Sequence, residues 1–506
     1  MPRILVAILA FASLWVLAHN NGLHAQSIPF IEPGPCAVPI ARTERADCLY
    51  LTVFEDRTAH GGRTIRLPLV LFHSRAAKPN ADPVLFTVGG PGNSTIRDVR
   101  SGSDFKSLDD RDFIAFEQRG TRYAQPQLDC PEFNAVDDLY FDRNLNFEQA
   151  GKAQVAAAAK CYKRLSASGI HLSAYNTAAI ADDVADLCKA LGLQKVNLMG
   201  LSYSTTIDME VVRRHPTLVR SVVLDSVLPV DAHYDEAANA NVVRSLHEVF
   251  DSCAVGPTCV HQYTNLYAAF HALVQRLNAH PLSVNLKGTS GKPIRYRVSG
   301  RNAAEAIYGV GLQNAENIPQ VPRVIWRAHM RDYAPLLHWL QESMGGSSYA
   351  YGARLSVICH DWSPFESDAL IENQAALYPE LGGMNAADFP PAVCSAWPVG
   401  SADPNSIQPV QSDIPVLVFA GAFDPNTPPQ WGQHIRMSLP NSYFIEFPTG
   451  SHDAALNTLC GLALAATFFD NPREQPNVPC LWRRRPPTFA FNIPNTLSAG
   501  SFRVRA

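Results

Sequence analysis

The 506-residue sequence has little charge, and what it has nearly cancels. Charged residues make up 17% of the chain and the formal net charge is −4. Holding nucleic acid or an anionic membrane takes a basic surface, so neither partner is expected. The one basic cluster, Arg483-Arg484-Arg485, is short and reads as a solvated turn. Metal-ligand spacings are missing too. No C-x-x-C and no H-E-x-x-H occurs, which argues against a zinc site. There is no internal repeat and no low-complexity tract. The apolar run at residues 4–18 falls short of the about 20 residues a membrane span needs, and no other stretch could cross.

That short run has another reading. Arg3, the apolar residues 4–18 and a polar stretch ending at Ala25 have the layout of a secretory signal peptide, residues 1–25. No cysteine follows the cleavage-like site, so a lipid anchor is not expected. The eleven cysteines agree with export to an oxidising compartment, secreted or periplasmic. Taking neighbours in order gives Cys36–Cys48, Cys130–Cys161, Cys253–Cys259, Cys359–Cys394 and Cys460–Cys480. Cys188 is left out for a physical reason. It lies one turn after Val184, beside a helical apolar stripe of Ile180, Val184, Leu187 and Leu191, where a buried free thiol fits.

Residues 82–230 alternate strand-like and helix-like segments. Such alternation implies a mostly parallel sheet with helices on both faces. The rhythm then changes to helical stretches, and strand character returns at "IPVLVFAGAFD". A chain of this length exceeds what one compact core usually holds. The expected division is a first core segment at 26–230, an inserted, mainly helical cap at 231–404, and a second core segment with its tail at 405–506.

The chemistry centres on "GLSYS", residues 200–204. It matches the nucleophile elbow G-x-S-x-G of the α/β-hydrolase fold except at Ser204. Ser202 lies between the strand "KVNLM" and a helix, where a sharp turn can present its hydroxyl. Asp424 and His452 follow later strands, in the Ser–Asp–His order of that fold. In those places they suit the orienting acid and the general base. Asp225, at the end of "SVVLD", is a rival for the acid. The glycine turn "TVGGPGNS" at 87–94 can aim backbone N–H groups at an oxyanion. Gly90 and Tyr203 are the expected donors. The sequon Asn93-Ser94-Thr95 is expected to be unused, because a glycan there would obstruct the site.

"GGPG", "FEQRGT", "GLSYS", "VVRRHP…VRSVVLDSVLP", "GAFDPNTPP" and "GSH" together resemble the prolyl and tripeptidyl aminopeptidases, secreted α/β-hydrolases. The resemblance covers most of residues 30–480. It implies an α/β-hydrolase core, a helical cap, and a triad of Ser202, Asp424 and His452 with Gly90 and Tyr203 in the oxyanion hole. It implies no metal or organic cofactor, and a peptide substrate trimmed at its free N-terminus. A carboxylesterase or amidase, acting on a small ester or amide, is the alternative enzyme. A non-catalytic binding protein is the alternative from another class. Val88, Glu117, Arg122 and Ser204 depart from the family's usual residues. Glu117 and Arg119 are expected to brace loops beneath the site as an ion pair. Ser204 is expected to act through packing alone, so Ser204→Gly should keep activity within about tenfold. Carboxylates that could take the substrate ammonium include Glu305, Asp361, Glu366 and Glu372, with none singled out.

Overall fold

The computed structural model describes residues 27–59, 62–99, 109–344, 348–482 and 487–490. The signal-peptide segment 1–25 and the arginine cluster at 483–485 lie outside the described residues. Among the described residues nine strands form one sheet: β1 (Phe30–Pro33), β2 (Ala46–Phe54), β3 (Thr64–Phe72), β4 (Val84–Thr87), β5 (Phe113–Phe116), β6 (Val196–Leu201), β7 (Val219–Asp225), β10 (Val416–Gly421) and β11 (Ser442–Phe447). Their order is β1-β2-β3-β5-β4-β6-β7-β10-β11. The run from β5 to β11 is parallel, whereas β1, β2, β3 and β5 pair antiparallel.

The sequence explains this split. β4 (VLFT), β6 (VNLMGL) and β10 (VLVFAG) are buried at every position. Parallel strands covered on both faces read as continuous apolar runs. The helix Thr177–Ala190, capped by the Asn176 side chain, lays Ile180, Val184 and Leu187 on one face of the sheet beside Ile207 and Val211. Ile96, Leu464 and Phe468 cover the other face, against Phe86, Met199 and Phe419. Cys188 is free and buried beside that stripe, and burial pushes its thiol up to about 12. All five expected disulfides are present.

After β7 the chain leaves the sheet. It builds a second core around Leu246, Phe250, Phe270, Leu273 and Trp339 and rejoins the sheet at β10. This segment also holds a hairpin of β8 (Leu282–Lys287) and β9 (Pro293–Val298), which the sequence reading did not resolve. Its inward positions alternate, but over six residues a strand the pattern is brief. Phe423, just after β10, is buried in this second core and ties it to the sheet. Its burial stabilises that junction by about 2 kcal/mol.

One expected contact is corrected. Arg119 does not pair with Glu117. Its guanidinium is bidentate on Asp183, at 2.7 Å from each oxygen, and also donates to the Glu55 and Ala174 carbonyls. Among the described residues Glu117 has no cation partner. It accepts hydrogen bonds from Ser94, Thr121 and the Ile96 and Tyr123 N–H groups. β5 ends at Phe116 and the chain turns at Arg119, so the strand alternation that sets residues two apart on one face no longer holds and the two find different partners. Asp183 also binds Arg57 and is fully buried. Asp183→Asn leaves two guanidinium groups undercompensated. It should cost about 3 kcal/mol or more, read as a lowered urea midpoint; a midpoint within error of wild type would contradict this.

Candidate active site

The parallel strands deliver their carboxyl ends to one edge, the usual ligand-binding edge of an open α/β sheet. β6 ends at Leu201 and the helix Tyr203–Arg214 begins two residues later. Ser202 alone makes the turn, with φ 58° and ψ −127°. A non-glycine residue held there stores of order 1–3 kcal/mol of strain. The Ser202 N–H donates to the Asp225 carbonyl at 3.0 Å, and the Ser202 hydroxyl does not cap the helix. Small neighbours make the turn possible. A Cβ on Gly200 would overlap the Asp208 carboxylate. A Cβ on Gly89 would lie 2.7 Å from Ser202 Cβ and 2.9 Å from Tyr203 N.

The Tyr203 N–H is the first of its helix, so geometry gives it no intrahelical acceptor. Its buried side chain is held by an edge-on contact with Trp362 and a 2.9 Å hydrogen bond to Thr177 Oγ1. Gly90, at φ 123°, follows β4 and Gly89 on the facing loop. Gln118 donates to the Val88 carbonyl and Thr95 Oγ1 accepts from the Val88 N–H, so this loop is braced from below. Ser94 of the sequon is buried, capping the short helix Thr95–Asp98 and donating to Glu117.

Asp424 is fully buried in the turn after β10. Its carboxylate accepts from the Asn426 and Thr427 N–H groups and from Thr427 Oγ1 at 2.7 Å. The turn's carbonyls are held from above. Arg244 donates to those of Ala422 and Asp424, and Ser245 Oγ to that of Phe423. His452 Nδ1 lies 3.0 Å from Asp424 Oδ2. That bond fixes the tautomer and leaves Nε2, which lies 3.7 Å from Asp453 Oδ1, as the nitrogen for proton transfer. Burial opposes charging the imidazole, but Asp424, Asp453 and Asp225 outweigh it and raise its pKa to about 9. Burial likewise disfavours the Asp424 anion, yet His452 and Thr427 hold its pKa below the ordinary value.

Asp225, the rival acid, does not touch the imidazole. Its Oδ2 accepts from the Ala455 and Leu456 N–H groups, and Ser226 Oγ accepts from the Asp453 N–H. Together they clasp the loop that carries His452. Burial raises the Asp225 pKa to about 7. The structure thus joins Asp424 to His452 and sets Ser202 at the same sheet edge. Among the described residues no hydrogen bond joins Ser202 Oγ to His452. Such contacts are often loose before substrate binds.

The four carboxylates named from the sequence separate clearly. Glu305 is engaged by Tyr140, Arg301 and Asn302, and Asp361 by Thr177 and His360. Glu372 is exposed. Glu366 accepts from the Asp235 N–H, and its other oxygen is buried without a partner among the described residues. It belongs to a cluster that spacing did not reveal. Asp235 accepts from the Asp388 N–H, and Asp388 pairs with Arg354 at 2.5 Å. Among the described residues Asp388 is the one member of this trio with an ion-pair partner. Burial and mutual repulsion raise the Asp235 pKa well above its ordinary value, and burial raises that of Glu366 to about 7. Arg354 also donates to the Pro91 carbonyl, and the Ala350 N–H to that of Gly92. Arg354 thereby links the cluster, through Asp388, to the glycine loop. Thr427 and Arg244 were also missed. The turn chemistry of "DPNT" carries a signal for Thr427; Arg244 has none in the sequence.

Residues 82–304 match the alpha/beta hydrolase fold family and residues 381–480 the TAP-like protein family. The chain is 23% identical over 432 residues to the serine protease Hip1 of Mycobacterium tuberculosis, covering 78% of this chain and 79% of that protein. It is 26% identical over 208 residues to the tripeptidyl aminopeptidase of Streptomyces coelicolor, covering 38% and 37%. A solved proline iminopeptidase from Mycobacterium smegmatis aligns over 81% of this chain and 96% of its own, with 15% identity and a TM-score of 0.37. The chain belongs to the α/β-hydrolases with a TAP-like C-terminal region and is a serine hydrolase of the peptidase type.

Proposed function

We propose that the protein is a secreted aminopeptidase that releases proline or short peptides from free N-termini through an acyl-enzyme on Ser202. The observation that carries the N-terminal specificity is the trio of buried Asp235 and half-buried Asp388 and Glu366, which among the described residues has one guanidinium for three carboxylates, on an arginine that also holds the glycine loop. A substrate ammonium supplies the missing positive charge. The five disulfides support export, with residues 1–25 as the removed signal peptide. No helix among the described residues is long and apolar enough to cross a membrane.

In this reading Ser202 Oγ attacks the scissile carbonyl carbon and His452 Nε2 takes its proton. Tyr203 and Gly90 N–H groups receive the oxyanion. The tetrahedral intermediate collapses, the C–N bond breaks, and His452 returns the proton to the leaving amine. Water, deprotonated by the same imidazole, then frees the acyl group. Asp424 orients His452 and stabilises its charged form. The chain's own groups supply each proton transfer, so no cofactor is invoked.

Fluorophosphonate should label the wild type and not Ser202→Ala; absent labelling of folded wild type would refute the nucleophile. Asp424→Asn should lower kcat by about 10⁴, while Asp225→Asn should cost far less. The reverse ranking would make Asp225 the acid. Peptidyl arylamides with a free N-terminal amine should be cleaved, and their N-acetylated forms should lose at least tenfold in kcat/KM. Equal rates, or preference for short acyl esters, would favour the carboxylesterase or amidase reading.

The base form of His452 is neutral, so a pKa of about 9 means kcat/KM climbs with pH toward an alkaline plateau. Asp453 is one of the charges holding that pKa up. Asp453→Asn should move the acidic limb to lower pH; an unmoved limb would show that another group titrates.

A further inference from the structure

Ser204 takes the fifth position of the elbow pentamer, where the hydrolase pattern has glycine. It is fully buried. Its Oγ lies 2.7 Å from Leu201 N and 2.7 Å from the Thr87 carbonyl. A hydroxyl has one proton. Oγ accepts from the Leu201 N–H and donates to Thr87, nearer than the Leu201 carbonyl at 3.0 Å.

The two ends of this bridge matter. Leu201 is the last residue of β6, and the nucleophile follows it. Thr87 is the last residue of β4, and Val88, Gly89 and Gly90 follow it. The sheet register pairs Thr87 with Gly200. The hydroxyl therefore joins the two strands just before one delivers Ser202 and Tyr203 and the other delivers the glycine loop. There is no slack between these parts, since a Cβ on Gly89 would lie 2.9 Å from Tyr203 N.

We propose that Ser204 is a positioning residue that sets the separation of the nucleophile elbow from the glycine loop through the Leu201 N–H···Oγ–H···Thr87 bridge, a contact a glycine elbow lacks. This rests on the reading of Ser202 as nucleophile with Tyr203 and Gly90 as oxyanion donors. Those donors act on a charge that exists only in the transition state. They must lie about 2.7–3.1 Å from where it forms. A changed separation therefore lowers kcat and leaves ground-state binding alone. The expectation from the sequence, a packing role only, gives way because both ends of the bridge are backbone groups. Removing the hydroxyl leaves a buried donor and acceptor to find new partners by moving the strands.

The test compares Ser204→Ala and Ser204→Gly with wild type and Ser202→Ala. Ser204→Gly restores the fold family's pentamer and needs no new space, so it is the variant that must fold. Thermal melting monitors folding. The readouts are the second-order rate of fluorophosphonate acylation, kcat and KM on a cleaved arylamide or ester, and inhibition by the released product. Both variants should acylate and turn over at least tenfold more slowly, with KM and product inhibition within threefold of wild type. The inference is overturned by a folded Ser204→Gly protein with kcat within threefold of wild type, or by a loss confined to KM. Labelling that persists in Ser202→Ala instead overturns the nucleophile reading. Wild-type acylation rates in the Ser204 variants, with Ser202→Ala unlabelled, overturn only the bridge.

Discussion

The left-handed backbone at Ser202 is the constraint on which the rest of the site depends. At φ 58° a serine persists only where its surroundings over-determine it. β6 is paired on both sides, by β4 and β7. The helix Tyr203–Arg214 starts at the next residue, and the Ser202 N–H is spent on the Asp225 carbonyl. The glycines at 89 and 200 follow from that turn, because any side chain there would occupy space the elbow uses. A strained residue held this firmly has its hydroxyl aimed by the scaffold and not by its own rotamer preferences.

Around that turn, charge is used for two purposes that buried carboxylates can serve. Asp424 is surrounded by donors and stays ionised, so it can orient and stabilise an imidazolium. Asp225 Oδ2 and Ser226 Oγ accept from backbone N–H groups and hold the histidine loop in place. The second core contributes through the same sheet edge. Arg244 and Ser245 grip the carbonyls after β10, while Arg354 and Ala350 grip the glycine loop after β4. The acid loop and the glycine loop are therefore each held from below by the sheet and from above by the insertion.

How legible this was depends on the range of the interaction. Continuous apolar runs at 196–201 and 416–421 mark buried parallel strands, because a residue covered on both faces has no polar option. The five disulfides join cysteines close in sequence, the longest separation being 35 residues. Order along the chain was enough to pair them. The Glu117–Arg119 expectation failed for the opposite reason. Arg119 takes a partner 64 residues away, and nothing near it in the chain points to Asp183. The trio Asp235, Asp388 and Glu366 was hidden for the same cause, since its members lie up to 153 residues apart.

The sequence by itself determined the class of fold and singled out Ser202, Asp424 and His452 as the candidates for nucleophile, acid and base. A nucleophile, acid and base of given type must follow particular strands in a given order, and that order is written along the chain. Only the tertiary structure decided which of two aspartates bonds to the imidazole, which carboxylates gather around Arg354 above the glycine loop, and which groups the hydroxyl of Ser204 meets. Those are questions of distance between segments far apart in sequence, and backbone carbonyls and N–H groups, the partners of Arg244, Asp225 and Ser204, leave no mark in residue identity.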